Sequence, residues 1–448
     1  MRRGDFHNLT HREATVTDFA ALRRFSYRKT FIIGFGFLGI SIIWPIFNQF
    51  VPIFLQAGNP EFTQQLLAEG RAVPDVVGLG LSPALALFIM TWDNLINIFV
   101  QPWVGARSDR TWTRFGRRKP WILIGLPIAV IGFTLLPFAQ TALAIAAFIL
   151  ITNFGMALFR SPTVAWLGDL FLPDDRSKAN GIINLMGGIG SLIAFLGGGF
   201  LFNSVGRAAP FIAGAVLMVA ALSVALLGVR ESREAAEVSA EAGSSVRASL
   251  RTVMGHADRS GLYVLIGILF WFMAFNALEA GLSSFAVFTL GIAPGTASIY
   301  AAAISLSFLV FAWPAGMAGT RYGRRAVILV GLTGLTILFA VAYFLIQGVA
   351  TFILVLVLGG LFWALVNVNS LPLVYDYGDE RQIGAYTGLY YFSSQLAAVL
   401  GPTLGGVLVD TLGNQYRWLF LFSAAFMALA WLVVTRIRRR SVAAVAAS

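Results

Sequence analysis

The sequence predicts an all-α membrane protein with twelve transmembrane helices in two pseudo-symmetric six-helix halves, and three observations carry that expectation. First, 58% of the 448 residues are apolar and 12% are charged, with a mean hydropathy of +0.78. A soluble protein of that composition would expose large apolar patches and aggregate. Second, the apolar runs reach about 20 residues, enough to cross a hydrocarbon core of roughly 30 Å. They lack the alternation of a membrane barrel, so helices are left as the way to satisfy the backbone in lipid. Third, one basic, glycine-containing turn occurs twice. It reads Gly105-Ala106-Arg107-Ser108-Asp109-Arg110 and, a few residues on, Arg114-Phe115-Gly116-Arg117-Arg118-Lys119; the second copy is Gly316-Met317-Ala318-Gly319-Thr320-Arg321-Tyr322-Gly323-Arg324-Arg325. The copies lie about 210 residues apart, each between the second and third apolar run of its half.

Taken in order, the first six spans are expected at 30–55, 78–104, 120–140, 143–170, 178–203 and 208–229. The second six are expected at 261–290, 296–319, 325–347, 350–375, 384–410 and 415–436. This divides the chain into a tail (1–29), a first bundle (30–230), a linker (231–260), a second bundle (261–436) and a second tail (437–448). The linker, rich in Glu, Ala, Ser and Arg, is polar enough to lie outside the bilayer, in part as a surface helix. The repeat extends beyond the turns: Asp174-Asp175-Arg176 precedes the fifth span and Asp379-Glu380-Arg381 the eleventh. Halves repeated in parallel place a ligand site at their interface near mid-membrane.

The pI near 10.3 invites a nucleic-acid reading, which the distribution of charge excludes. Of the 32 Lys and Arg residues, 28 fall on one side of this topology. Arg71, Arg207 and Arg417 fall on the other, and Arg160 lies within a span. Positive charge collects on the cytoplasmic side, so both termini are expected there. The first 29 residues carry acids and histidines and read as a tail, not a signal peptide. With no cysteine there is no disulfide or thiolate metal site. His7 and His11, spaced for one helix face, lack a third ligand, so neither metal nor cofactor is expected.

An ionisable side chain inside a bilayer is costly and therefore a functional candidate. Asp93 falls in the second span with Asn97 and Gln101 on the same face, beside Trp92. Arg160 falls in the fourth span with Asn153 two turns away, and Glu279 in the seventh, three residues after Asn276. If Asp93 and Arg160 neutralise each other, Glu279 is a surplus acid suited to carrying a proton. The alternative is a structural Glu279–Arg160 pair with Asp93 hydrated. Asp109, Arg110, Gly116, Arg117 and Arg118, with Arg176, Arg321, Gly323 and Arg324, form a gating set whose role is conformational. Asp169 reads either as a partner for the Arg-rich turns or as a solvated helix-end acid.

The run Gln101-Pro102-Trp103-Val104-Gly105-Ala106-Arg107-Ser108-Asp109-Arg110, continued by Arg114 to Ile122, resembles the signature of plant sucrose–proton symporters and their animal and bacterial relatives. It is also similar to that of the glycoside–pentoside–hexuronide:cation symporters. Arg160-Ser161-Pro162, Arg176-Ser177-Lys178-Ala179-Asn180-Gly181 and Phe275-Asn276-Ala277-Leu278-Glu279 fit the bacterial branch. The resemblance implies a major-facilitator fold and cation-coupled movement of a glycoside such as sucrose or maltose. It also implies, with the short termini, a bacterial inner membrane. Departures matter. Asn153 stands where the plant proteins carry an acid, and Asn97, Gln101 and Arg160 stand where sodium-coupled relatives carry acids. Sodium requires hard, preferably charged oxygen ligands, so a proton is the expected partner.

The residues themselves also suit a sugar, whose hydroxyls meet amides and acids and whose C–H faces meet aromatic rings. Trp92, Asn94, Trp271, Asn276, Trp363, Asn367 and Gln395 are candidates for those contacts, with Asn97, Gln101 and Asn153. The expected activity is proton-coupled sugar symport by a monomer, not catalysis; the rival readings are an uncoupled sugar facilitator and a proton-coupled exporter of amphipathic compounds. The charge bias predicts that Ser244→Cys, introduced into this cysteine-free chain, reacts with an impermeant reagent only from the cytoplasm. Labelling from outside intact cells would overturn the topology.

Overall fold

The computed structural model describes residues 25–171, 173–231, 259–376 and 383–437, with side chains given at all of these but 173, 174, 176, 177 and 383–385. Most of both terminal tails (1–24 and 438–448), nearly all of the linker, the three histidines and the Arg176 side chain thus lie outside the described residues.

Among the described residues, 12 helices are long and apolar enough to cross a membrane. They run Tyr27–Gln56, Pro83–Arg110, Lys119–Phe138, Ala142–Leu170, Lys178–Ser204 and Ala209–Gly228 in the first half. The second half has Ser260–Thr289, Pro294–Tyr322, Arg324–Leu345, Val349–Tyr375, Tyr386–Thr411 and Trp418–Thr435. Local signals set several ends. The Ser26 hydroxyl accepts the Lys29 N–H at the first span, and Thr141 accepts that of Ala144 at the fourth. Proline occupies the first turn of spans two, six and eight, where its missing N–H costs nothing.

Span two departs from expectation. It begins at Pro83, not near 78, and breaks after Ile89, restarting at Trp92. The Thr91 hydroxyl donates to the Phe88 carbonyl at 2.7 Å, capping the first piece. Asp93 therefore sits in the first turn of a helix rather than mid-helix, where the helix dipole favours a carboxylate. Span seven ends in a π turn, Phe285–Thr289.

Within the first half, span one packs on spans five and six, and span three on span four. Within the second, span seven packs on eleven and twelve, and span eight on ten. The halves meet through spans five and eight, two and eleven, and one and seven. Glycines stand at close approaches in several of these pairs, such as Gly125 and Gly155 between spans three and four and Gly199 and Gly295 between spans five and eight.

The hydrogen bonds joining the halves gather on the face opposite the basic turns. Gln56 donates to Ser284 at 3.0 Å and accepts from the Tyr416 hydroxyl. Asn203 donates to Thr296 at 3.0 Å, and Ser298 to the Phe195 carbonyl at 3.0 Å. Over them lies an element that sequence reading did not anticipate, the helix Pro60–Ala68, capped by Asn59. It belongs to the first half but is fastened to the second. Phe62 is buried and stacks on Phe288 with centroids 4.7 Å apart and planes within 8°. Asn414 donates to Glu61, Gln65 donates to the Gly413 carbonyl, and Arg71 to the Thr289 carbonyl at 2.6 Å.

The three basic residues on the wrong side of the charge distribution all find backbone carbonyl partners on this face. Arg71 also pairs with Glu69 at 2.9 Å. Arg207 donates to the Val77 carbonyl and lies 4.3 Å over the Phe54 ring. Arg417 donates to the Ile346 carbonyl at 2.7 Å. Each holds a backbone carbonyl at this face, and burial pulls Arg207 and Arg417 below the usual guanidinium value.

Removing the Phe62 ring is expected to loosen the closure. Loss of a stacked aromatic and its buried surface corresponds to at least about a tenfold shift in an opening equilibrium. In the cysteine-free chain, Phe62→Ala should raise the rate at which Ser191→Cys, lining the central cavity, is alkylated from the strap side by that factor. An unchanged rate would show that the strap does not hold the face shut.

Candidate functional site: a central cavity and a charged latch

A cavity of about 920 Å³ lies between the halves. It runs from the strap side down to Gly181 and Asn184 on span five, and to Trp313 and Val368 on spans eight and ten, toward the basic face. Glu279 is the one charged side chain lining it among the described residues. Its carboxylate is open to the cavity rather than packed, although span seven lies at the heart of the bundle. Beside it, Phe275 and Trp363 stack face to face, centroids 3.9 Å apart and planes within 5°. Asn367 lies one helical turn below Trp363 on the same face of span ten. Asn48, Gln49 and Ser191, from the first half, complete the polar wall.

Three of the sequence-derived candidates thus line one cavity: Glu279, Trp363 and Asn367. Others gather behind it, where span two meets spans four and eleven. Asp93 accepts from the Asn94 amide at 2.8 Å and lies within electrostatic reach of both Arg160 and Glu279. Arg160 lies 5.9 Å over the ring of Trp44, which itself lines the cavity. Neither expected pairing is made. Among the described residues Arg160 forms no ion pair with Asp93 or with Glu279, and its guanidinium instead lies over the Trp44 ring. Buried amide atoms of Gln101, Asn153 and Gln395 have no hydrogen-bond partner. Asn97 is buried near them, and Trp92 packs against the Phe88 ring, outside the cavity lining.

Two candidates are packing residues. Trp271 is 0% exposed and sits against Gly267 rather than the cavity, because its helix turns that face toward span twelve. Asn276 donates one N–H to the Phe272 carbonyl of its own helix at 2.7 Å and does not line the cavity.

At the basic face the first turn forms a latch. Asp169 accepts from Arg117 at 2.5 Å and from Arg118 at 2.8 Å, and Arg118 also pairs with Asp109 at 2.5 Å. The Arg118 guanidinium donates to Ser108 at 2.5 Å. Burial opposes the Arg118 charge, but the carboxylates of Asp169 and Asp109 outweigh it and hold the group above its usual value. Of the two readings of Asp169, a partner for the turn describes this geometry. Glu231, three residues past the end of span six, closes the assembly. Its carboxylate accepts the backbone N–H groups of Arg117, Arg118 and Lys119 at 2.6, 3.0 and 3.2 Å, and the Trp166 indole N–H at 3.0 Å. These are the free donors at the N-terminus of span three, an anion site by construction. Gly116 is confined twice over: φ is +110°, and a Cβ there would lie 2.4 Å from the Glu231 carboxylate. Arg110 is exposed at the turn.

The second copy is built alike but looser. Arg324 pairs with Asp376, 52 residues on, as Arg117 pairs with Asp169, also 52 residues on. Asp376 was not picked out from the sequence; this equal spacing is the signal that marks it. The side chains of Arg117, Arg118 and Asp169 are 6%, 5% and 10% exposed, whereas those of Arg324 and Asp376 are 33% and 43% exposed. Thr320, in place of the acid, donates to carbonyls of its own helix. Gly323 takes φ +89°, and Arg321 lies over the Tyr322 ring.

The profile of the family described as "MFS/sugar transport protein" matches residues 32–440. The chain belongs to that family. It is 31% identical to Sucrose transport protein SUC3 of Arabidopsis thaliana over 147 residues, which cover 28% of this chain and 25% of that protein. It is 25% identical to Sodium-dependent lysophosphatidylcholine symporter 1 of Gallus gallus over 302 residues, 56% of each. The match thus spans about a quarter of the first relative and just over half of the second. In fold it is similar to the nucleoside transporter NupG, with a TM-score of 0.67 at 14% identity, covering 91% of this chain and 100% of that one. The fold is therefore the twelve-helix major-facilitator fold, and these relatives and neighbours are transporters, not enzymes.

Asp169 is the keystone of the latch. Asp169→Asn leaves two nearly buried guanidinium groups without their shared counter-charge, a change that typically costs about 3–5 kcal/mol. A fall in Tm well beyond that of Asp376→Asn, whose partner is exposed, is expected in thermal unfolding of the purified protein. Equal falls would show that the two latches are equivalent.

Proposed function

We propose that this chain is a secondary transporter that carries a sugar, such as sucrose, maltose or a related glycoside, together with a proton by alternating access. The observation that carries this reading is the single carboxylate, Glu279, in a cavity between two six-helix halves, flanked by a stacked aromatic pair and amides from both halves. Amides and a carboxylate bind hydroxyls, and the Phe275–Trp363 plate offers a face to sugar C–H groups. Positive charge collects on the cytoplasmic side of membranes, so the basic face is read as cytoplasmic. The strap and the bonds beneath it then close the outer side, and the state described is inward-open. The halves rock about the contacts of spans one, two, five, seven, eight and eleven, and the latches at the basic face hold each half as a unit.

Coupling follows from the charge count. Two acids, Asp93 and Glu279, share one arginine near mid-membrane, which leaves one carboxyl without a permanent counter-charge. That acid is neutralised by taking up a proton, and Glu279, facing the cavity, is the one that sugar and proton can both reach. Sodium is disfavoured because Asn97 and Gln101 are neutral. The match to a sodium-dependent symporter makes this worth testing directly.

Uptake of labelled sucrose and maltose into vesicles, with and without an imposed pH gradient, tests the reading. Wild type should accumulate sugar only with the gradient, and replacing sodium with choline should leave the rate unchanged. Glu279→Gln should lose accumulation while keeping sugar–sugar exchange, and Arg160→Ala should lose both, because it strands two acids. If Glu279→Gln still concentrates sugar and Asp93→Asn does not, the proton belongs to Asp93. If neither sugar moves under any condition, the substrate class is wrong.

A further inference from the structure

An arginine inside a bilayer ordinarily ends on a carboxylate, and Arg160 does not. Among the described residues its guanidinium makes no ion pair and no hydrogen bond, although the charge of Asp93 is within reach. What it has is the face of an indole, with the guanidinium carbon 5.9 Å from the centre of the Trp44 ring on span one. An aromatic face attracts a cation through its quadrupole, most strongly where water is excluded. Trp44 lines the central cavity together with Glu279, and Arg160 does not. Two further observations single out this ring. The Trp44 indole N–H is buried and has no hydrogen-bond partner. An unmatched buried donor costs stability, so the ring and not the polar atom is what the position uses. The ring is also braced. Pro45 has no N–H to offer the Ser41 carbonyl, and the Ser191 hydroxyl of span five donates to that carbonyl at 3.4 Å instead. The Phe47 ring stands edge-on to the indole at 6.0 Å.

We propose that Trp44 is a positioning residue for proton coupling: its ring face holds the Arg160 guanidinium behind the cavity wall, so that no permanent pair forms with Glu279 and the cavity acid stays free to exchange its proton. This rests on the reading of Glu279 as the acid that carries the proton. A guanidinium in contact with that carboxylate would hold it ionised, because a nearby positive charge favours the charged form of an acid. The proton would then bind only at a much higher proton concentration. The other titratable groups that bear on this set are Asp93 on span two, whose charge reaches both Arg160 and Glu279, and Tyr391 on span eleven, near Arg160. Asp93 already accepts the Asn94 amide at 2.8 Å and lies in the first turn of its helix. Glu279 has no hydrogen bond among the described residues, so a guanidinium let into the cavity gains most from Glu279.

The test has two arms. In the first, the purified protein in nanodiscs is treated with phenylglyoxal, which modifies arginine, and the rate at Arg160 is read by mass spectrometry. It is run on Glu279→Gln, so that no cavity acid protects the guanidinium, and on the same chain with Trp44→Leu or Trp44→Phe added. Losing the ring face corresponds to at least about a tenfold gain in exposure. Arg160 should therefore react at least about tenfold faster with leucine, whereas phenylalanine, which keeps a face and drops the unmatched N–H, should stay within about threefold. Trp44→Met takes the place of the leucine variant if that one does not fold. In the second arm, with Glu279 present, sugar uptake into vesicles is measured over a series of external pH values. The midpoint should fall by at least about one pH unit in Trp44→Leu and stay in place in Trp44→Phe. Damage to the fold lowers uptake at every pH alike and leaves the midpoint where it is. Equal labelling rates overturn the proposal, and so does an exposed Arg160 with an unmoved midpoint. If wild type moves neither sucrose nor maltose at any pH, the sugar–proton reading fails, and the labelling arm still decides whether Trp44 shields Arg160.

Discussion

A charge inside a bilayer has to be paired, hydrated or neutralised, and where this chain keeps its few interior charges organises the rest of the structure. At the basic face Arg117 and Arg118 are all but removed from water, and Asp169, Asp109 and Glu231 surround them with carboxylates. The turn, spans two, three and four and the chain leaving span six are thereby tied into one body. At mid-membrane the rule is relaxed. Asp93, Arg160 and Glu279 sit near one another with no ion pair among them in the described residues. On the strap side arginines serve backbone carbonyls. The same residue type is buried salt bridge, isolated charge and carbonyl clamp in one molecule, and what separates the three uses is which acceptor lies within reach.

The repeat is closer in plan than in energy. Both halves place a basic turn 52 residues before an acid at the end of a long helix, and both bend at a glycine with positive φ. The first copy is buried and shared among three acids, whereas the second is half exposed and has lost its in-turn acid to Thr320. The cavity divides less sharply, with most of its amides from the first half and most of its aromatic rings from the second. A duplicated framework has thus become a rigid polar half and a more apolar one.

Much of this architecture was legible in the sequence, because hydropathy and charge respond to the bilayer directly. The twelve spans lie within a few residues of the expected ranges for most helices, and the burial of Asp169 against the turn is one of the two outcomes that its charge near an arginine cluster allowed. What escaped depends on direction rather than composition. Asn48 and Gln49 sit in an apolar run between two prolines, and nothing local says that they face a cavity. Trp271 and Trp363 have the same chemistry and similar surroundings in sequence, yet one packs inside its half and the other lines the cavity. The break at Met90 and Thr91 has no glycine or proline to announce it. The contact between Glu231 and span three spans 114 residues to Arg117 and is formed by backbone N–H groups, which carry no sequence signature.

The strap has a consequence for how such a chain can diverge. Its polar fastenings end largely on main-chain oxygens, those of Thr289, Gly413 and, for Arg207, Val77. A carbonyl is present whatever residue occupies the position, so substitutions at 289 or 77 leave the acceptor in place. Closure then constrains few side chains on the receiving surface, which is left free to drift, to vary between lineages, or to be retuned for a new solute without unsealing the carrier.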